Sequence, residues 1–200
     1  MSFSIVHEFV HANRTIQVVI DPEPMDPRKD WDPLTTIYHW HRRYDLGTRI
    51  DRLDEDEMGV MVAQKGEEIL ADAPLYLLDH SGISVNTRGF GCPWDSGRVG
   101  WVVLTKQRAE ERGFDLTDPD HNPDWKAILE GEIREFDQYL RGEVYGFRIL
   151  GLDGDELESC WGFYDLKQAE ESAKDVAEHT EDPAIQRQVD ELASRATLAG

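Results

Sequence analysis

Cys92 is one of only two cysteines in the 200-residue chain. It stands in Gly89-Phe90-Gly91-Cys92-Pro93-Trp94-Asp95-Ser96-Gly97, shortly after Asp79-His80-Ser81-Gly82. A thiol, an imidazole and two carboxylates this close in sequence are the parts of a cysteine-dependent hydrolase or transferase. Cys92 would be the nucleophile, His80 the base, and Asp79 or Asp95 the acid that orients it. Such chemistry requires a thiolate favoured by its surroundings and a base within hydrogen-bond reach, which a hairpin bringing His80 back toward Cys92 would provide. The competing interpretation is structural: Gly91, Pro93 and Gly97 shape a turn, and Cys92 and Trp94 pack beneath it. No cysteine-enzyme signature matches the stretch.

Metal chemistry has weaker support. His39 and His41 are two apart in the apolar-polar run 34–44, so on a strand they share a face and could fill two positions of a tetrahedral site. No CxxC or HExxH spacing supplies further ligands, and a polar strand face bonding carboxylates explains the pair equally. Residues 118–124 place oxygens at alternate positions but lack the glycine and distal glutamate of a calcium loop; Asn122 or Asp124 reads better as a helix N-cap. No metal or other cofactor is expected.

The elements that must position these groups are legible from periodicity. Runs at 74–79, 83–87 and 98–104 read as strands around the glycine-rich loop, with Ser81-Gly82 as a hairpin turn. Two short strands are expected within 3–20 around a turn at Ala12-Asn13, then a proline-rich loop over 21–33 and a strand over 34–44. The 51–70 segment, with Leu53, Met58, Met61, Val62, Ile69 and Leu70 as its stripe, reads as a helix that opens on four acids. Trp125, Ile128, Leu129, Ile133, Phe136 and Leu140 define the strongest helix. A hairpin over 144–164 follows, in which Cys160 is expected as a small half-buried hydrophobe. Two helices end the chain, the last with only a thin stripe of Ile185, Val189, Leu192 and Ala196. The expected fold is α+β: a mostly antiparallel sheet of six to eight strands against one main helix forms a domain over 1–165. An acidic helical extension covers 166–200.

The charge points away from nucleic acid and anionic membranes. Forty-one Asp and Glu against twenty-one Lys and Arg give −20, beyond the magnitude of about 2–8 that suits a small soluble domain. Such a field attracts basic surfaces. It can arise from adaptation to a salty or acid-rich proteome, or from acids that imitate the spaced phosphates of DNA. The acids gather at 54–57, 153–158 and 170–182. The candidate partner-binding residues are therefore Asp54, Glu55, Asp56, Glu57, Asp153, Asp155, Glu156, Glu158, Glu170, Glu171, Asp175 and Glu178. No apolar run spans a bilayer, and the N-terminus lacks signal-peptide character, so a cytoplasmic location is expected.

The segments WHRRYDLG, LYLLDHSGISVNT, CPWDSGRVGW, FDQYLRGEVYGFRI and ESCWGFYD resemble a family of uncharacterised small accessory proteins encoded by phages, plasmids and their actinobacterial and firmicute hosts. The resemblance covers about residues 14–165. It implies a mobile-element setting, in which small acidic cytoplasmic proteins disable host defences by occupying DNA-binding surfaces. The expected function is thus a non-enzymatic acidic protein that engages a basic protein surface, such as that of a DNA- or RNA-binding enzyme. It would not touch nucleic acid directly, and a homodimer is compatible with it.

Overall fold

The structure, a computed structural model, describes residues 3–118 and 122–198, with side chains described through Glu191. In chain order its strands and helices begin with β1 (Ile5–His11), β2 (Arg14–Ile20), β3 (Thr35–His39), β4 (Thr48–Arg49), α1 (Glu55–Gln64), β5 (Ile69–Asp79) and β6 (Ile83–Asn86). Next come β7 (Ser96–Thr105), α2 (Lys106–Glu111), α3 (Trp125–Arg141), β8 (Tyr145–Leu150), β9 (Glu156–Phe163), α4 (Leu166–His179) and α5 (Pro183–Leu198). The fold is α+β, but its strands form two sheets, of four and five strands. The chain divides into Met25–Arg141 and a unit that joins Met1–Pro24 to Gly142–Gly200. The expected boundary at 165 is therefore displaced, because β2 pairs with β8 from Thr15↔Leu150 to Ile20↔Tyr145 and so ties the first strands to the C-terminal helices.

In the discontinuous unit the sheet order is β1-β2-β8-β9, antiparallel throughout. Ala12 and Asn13 take φ of 49° and 60°, the left-handed pair that closes a two-residue hairpin between β1 and β2. Helix α4 is not an appendage. Its Ala169, Ala173 and Ala177 are fully buried against Ile16, Val18, Phe147 and Ile149. Alanine at every fourth position carries little hydrophobicity per residue, yet it lets the helix axis close down on the sheet, where the large side chains come from the strands. The N-cap of α4 is Asp165, whose side chain accepts from the Gln168 N–H. Buried Asp182 accepts from the N–H groups of Leu152 at 3.0 Å and Ala184 at 2.8 Å, where α5 begins. Its carboxyl lies below the usual range: burial pushes it up, but the hydrogen bonds from Leu152, Ala184 and Ile185 outweigh that.

The Met25–Arg141 unit holds the sheet β4-β3-β7-β5-β6. Only β3 and β4 run parallel. One face sets Ile37, Leu75, Leu77, Val85 and Val102 against Leu129, Ile133 and Phe136 of α3. The other sets Tyr38, Trp101 and Val103 against Met58 and Val62 of α1, so the sheet is covered on both sides and not on one. Helix α1 starts with a capping box, Asp54 accepting from the Glu57 N–H and Glu57 reaching back to the Asp54 N–H, and it stops at Gln64. Ile69 and Leu70, expected in its stripe, instead open β5 after Gly66 turns the chain at φ 76°. Helix α3 is as expected, with Asp124 accepting from the Lys126 and Ala127 N–H groups at its start. Residues 119–121, within the oxygen-rich 118–124 stretch, lie outside the described residues.

Candidate functional site

The sheet register brings the thiol loop and the β5–β6 turn together. Leu78 pairs with Ser96, and the Asp79 N–H donates to the Asp95 carbonyl at 2.8 Å. Past these rungs, His80 Nδ1 lies 3.1 Å from Asp95 Oδ2, and the Cys92 thiol donates to the same oxygen from 3.6 Å. The loop is braced by Ser96 Oγ, which donates to the Cys92 carbonyl at 2.5 Å. His80, Asp95 and Cys92 thus do converge, but in the order thiol, carboxylate, imidazole. A cysteine nucleophile works with the imidazole next to the sulfur and the carboxylate behind it. Here a thiolate would face a carboxylate oxygen.

Asp79 has another task. Its carboxylate accepts from Arg43 Nη1 at 2.8 Å and from the Tyr44 hydroxyl at 3.0 Å. The hydrogen bond to Asp79, aided by burial, raises the Tyr44 hydroxyl above its ordinary value. Trp94 does not pack beneath the loop: it is 93% exposed, whereas Cys92 is half-buried. Cys160 is exposed and not half-buried. It faces the same side as its partner Phe147, but on the edge strand of the sheet.

β3 ends at His39, so the two candidate metal ligands do not share a strand face. His39 is buried and accepts from the Leu46 N–H at 3.4 Å. His41 stacks on Tyr44 with centroids 5.0 Å apart and accepts from its N–H. Burial holds both imidazoles below their ordinary pKa, against the pull of Asp45 on His39 and of Asp79 on His41. Among the described residues no group of three or more His, Cys, Asp or Glu side chains is arranged to hold a metal ion.

The acidic candidates divide into those used inside the molecule and those left over. Asp54 and Glu57 build the cap of α1. Asp153 meets Arg187 at 2.9 Å, Glu156 meets Arg148 at 2.5 Å, and Glu171 meets Lys167 at 3.4 Å. Glu170 and Glu178 meet His7 Nδ1 at 2.6 Å and His11 Nε2 at 3.0 Å, with Lys174 over the Phe9 ring between them. That ladder matches every second residue of β1 to every fourth residue of α4. The spacings of about 6.6 Å and 6 Å agree. Residues 7, 9 and 11 against 170, 174 and 178 are the sequence signal for it, visible only once the two elements are known to pack.

The leftover acids are Glu55, Asp56, Asp155, Glu158 and Asp175. Glu158 and Asp175 share a groove of about 680 Å³ with Glu156, Leu157, Val176, His179, Thr180, Glu181 and Pro183. The groove runs along the flank of α4 opposite the histidine ladder. Its apolar lining residues are Leu157, Val176 and Pro183. Among the described residues the carboxylates of Glu158, Asp175 and Glu181 have no ion-pair or hydrogen-bond partner, whereas that of Glu156 is held by Arg148. Glu181 belongs to the same 170–182 acidic run. Comparison with protein-family models, curated proteins and solved structures finds no match to this chain.

Proposed function

We propose that this protein is an acidic, non-enzymatic binding protein that engages a basic surface of a partner protein. The observation that carries this reading is the groove beside α4, where three carboxylates without partners among the described residues line the same groove as Leu157, Val176 and Pro183. Lysine and arginine suit such a site, since their stems lie on apolar surface while their charged ends reach the rim. A net charge of −20 adds long-range attraction for any basic partner and repels nucleic acid itself. The resemblance to mobile-element accessory proteins extends the proposal: the partner is a DNA- or RNA-binding protein of the host or of a competing element. The acids occupy the surface it uses for phosphates, as a nucleic-acid mimic that inhibits a host defence would.

The test is capture of a lysine- and arginine-rich DNA-binding protein, such as protamine, at about 50 mM and about 500 mM salt. Attraction between exposed charges decays over about 8 Å at physiological salt, so binding of this kind weakens steeply across the range. Competition by duplex DNA for the same partner is expected as well. Binding that is indifferent to salt would overturn the proposal.

A further inference from the structure

Among the described residues, the order β1-β2-β8-β9 leaves β9 with a neighbour on one side only. Register shifts interrupt its pairing near both ends, but between them Glu158, Ser159, Cys160 and Trp161 pair one-to-one with Ile149, Arg148, Phe147 and Gly146. All four are exposed. A regular edge of this kind presents a second row of backbone N–H and C=O groups, ready to pair with another extended chain. The groove lined by Leu157, Glu158, Asp175, Val176, Glu181 and Pro183 lies beside it. A strand added about 4.8 Å beyond β9 would run along the flank of α4 that carries Asp175 and Val176.

Charge selects the occupant. A second copy of this chain brings a second charge of −20 and its own Glu156 and Glu158, so self-pairing along this edge is repelled. A chain with lysine or arginine at every second position is attracted instead, because one of its faces points into the groove. Its stems then lie on Leu157, Val176 and Pro183, and its cations meet Glu158, Asp175 and Glu181. We propose, resting on the acidic-binder reading above, that β9 is a strand-addition site for an extended, alternately basic segment of the partner protein.

The probe is a short synthetic peptide of alternating lysine and threonine, measured by fluorescence anisotropy on the full chain. The variant E158Q/D175N/E181Q is expected to weaken binding by about tenfold or more, through loss of three rim charges. Removing three exposed acids elsewhere, E23Q/E55Q/E110Q, is expected to change it by less than about threefold. N-methylation of alternate amides keeps the peptide's charge but blocks main-chain pairing, and it is expected to abolish the groove-dependent binding. Amide exchange at 159–161 is expected to slow in the complex, and far-UV circular dichroism checks that both triple variants fold. If both triples weaken binding alike, the groove is overturned while the acidic-binder reading stands. If the N-methylated peptide binds as well as the parent, strand addition is overturned. If the parent peptide does not bind at all, the site and the reading beneath it both fall.

Discussion

His80 Nδ1 stands 3.1 Å from Asp95 Oδ2, and the Cys92 thiol donates to that same oxygen. Sulfur and imidazole each contact the carboxylate, where a cysteine enzyme would need the imidazole between the sulfur and the carboxylate. Cys92 is therefore expected to react with iodoacetamide no faster than the exposed Cys160. Asp95→Asn removes the charge that a thiolate would face, and it is expected to speed alkylation of Cys92 by about threefold. His80→Ala is expected to leave it within about twofold. Peptide mass spectrometry over a time course checks this. Alkylation of Cys92 at least about tenfold faster than that of Cys160, lost in His80→Ala, would restore the enzyme reading.

Glu132 holds α3 to the start of β3. It accepts from the N–H groups of Leu34 and Thr35 at 2.7 and 3.0 Å and from Arg28 at 3.3 Å. The Arg28 side chain is 9% exposed, and burial lowers its pKa despite the neighbouring Glu132. Glu132→Ala leaves that guanidinium buried without its counter-ion and is expected to cost about 3–5 kcal/mol in urea unfolding. The double change Arg28→Met with Glu132→Leu removes both charges and is expected to recover most of the loss. Equal destabilisation by the single and double changes would show that the carboxylate acts only through the backbone groups it caps.

What the sequence discloses is local. The spacing Trp125, Ile128, Leu129, Ile133, Phe136 names α3 and its buried face, and Ala12-Asn13 names a hairpin. The division of the chain escapes such an approach because it rests on β2 meeting β8, from Thr15↔Leu150, and no periodicity encodes a pairing that distant. Helix α4 looks weakly apolar because its buried face is alanine. Its role is set by what those alanines allow and not by what they carry. Glu132 reads as one acid among several on the polar face of α3, since the backbone groups it caps, at Leu34 and Thr35, are far away in sequence. At the thiol loop, residue types announce the cluster correctly, but their order around Asp95 comes from the rung between Leu78 and Ser96.

His39 is 2% exposed, and the partner of its Nε2 is a backbone N–H, which only the unprotonated nitrogen can accept from. Among the described residues its Nδ1 has no hydrogen-bond partner. Burial, opposed by Asp45, lowers its pKa, below the unfolded value of about 6.5. In that window the unfolded chain binds a proton that the folded chain does not. The contribution of His39 is therefore complete above about pH 6.5 and is lost as pH falls through its folded value. The urea midpoint is expected to drop between about pH 7 and about pH 5. His39→Gln is expected to be less stable at neutral pH but flatter across that window. The quantity to measure is the difference between the two profiles. Parallel profiles would mean that His39 accepts its proton without penalty.

Two glycines face obstacles of different kinds, and the kind decides the cost of adding a methyl group. A Cβ at Gly100 would overlap the carbonyl oxygen of Tyr38 and come within 3.1 Å of the His39 Cα, both in the backbone of β3. Neither can move without breaking the β3–β7 ladder, so Gly100→Ala is expected to cost about 3 kcal/mol or more. A Cβ at Gly146 would overlap the indole of Trp161. That ring is 37% exposed and stacks on Phe3 at 5.6 Å, so it can swing aside, and Gly146→Ala is expected to cost about 1–2 kcal/mol. Trp161→Ala makes room for the new methyl. In that background Gly146→Ala is expected to be nearly free, whereas Gly100→Ala keeps its full cost, since no side-chain truncation removes a carbonyl. A double-mutant cycle by urea unfolding separates the cases. A Gly146→Ala penalty unchanged by loss of Trp161 would show that the glycine is required by the backbone of β8 itself.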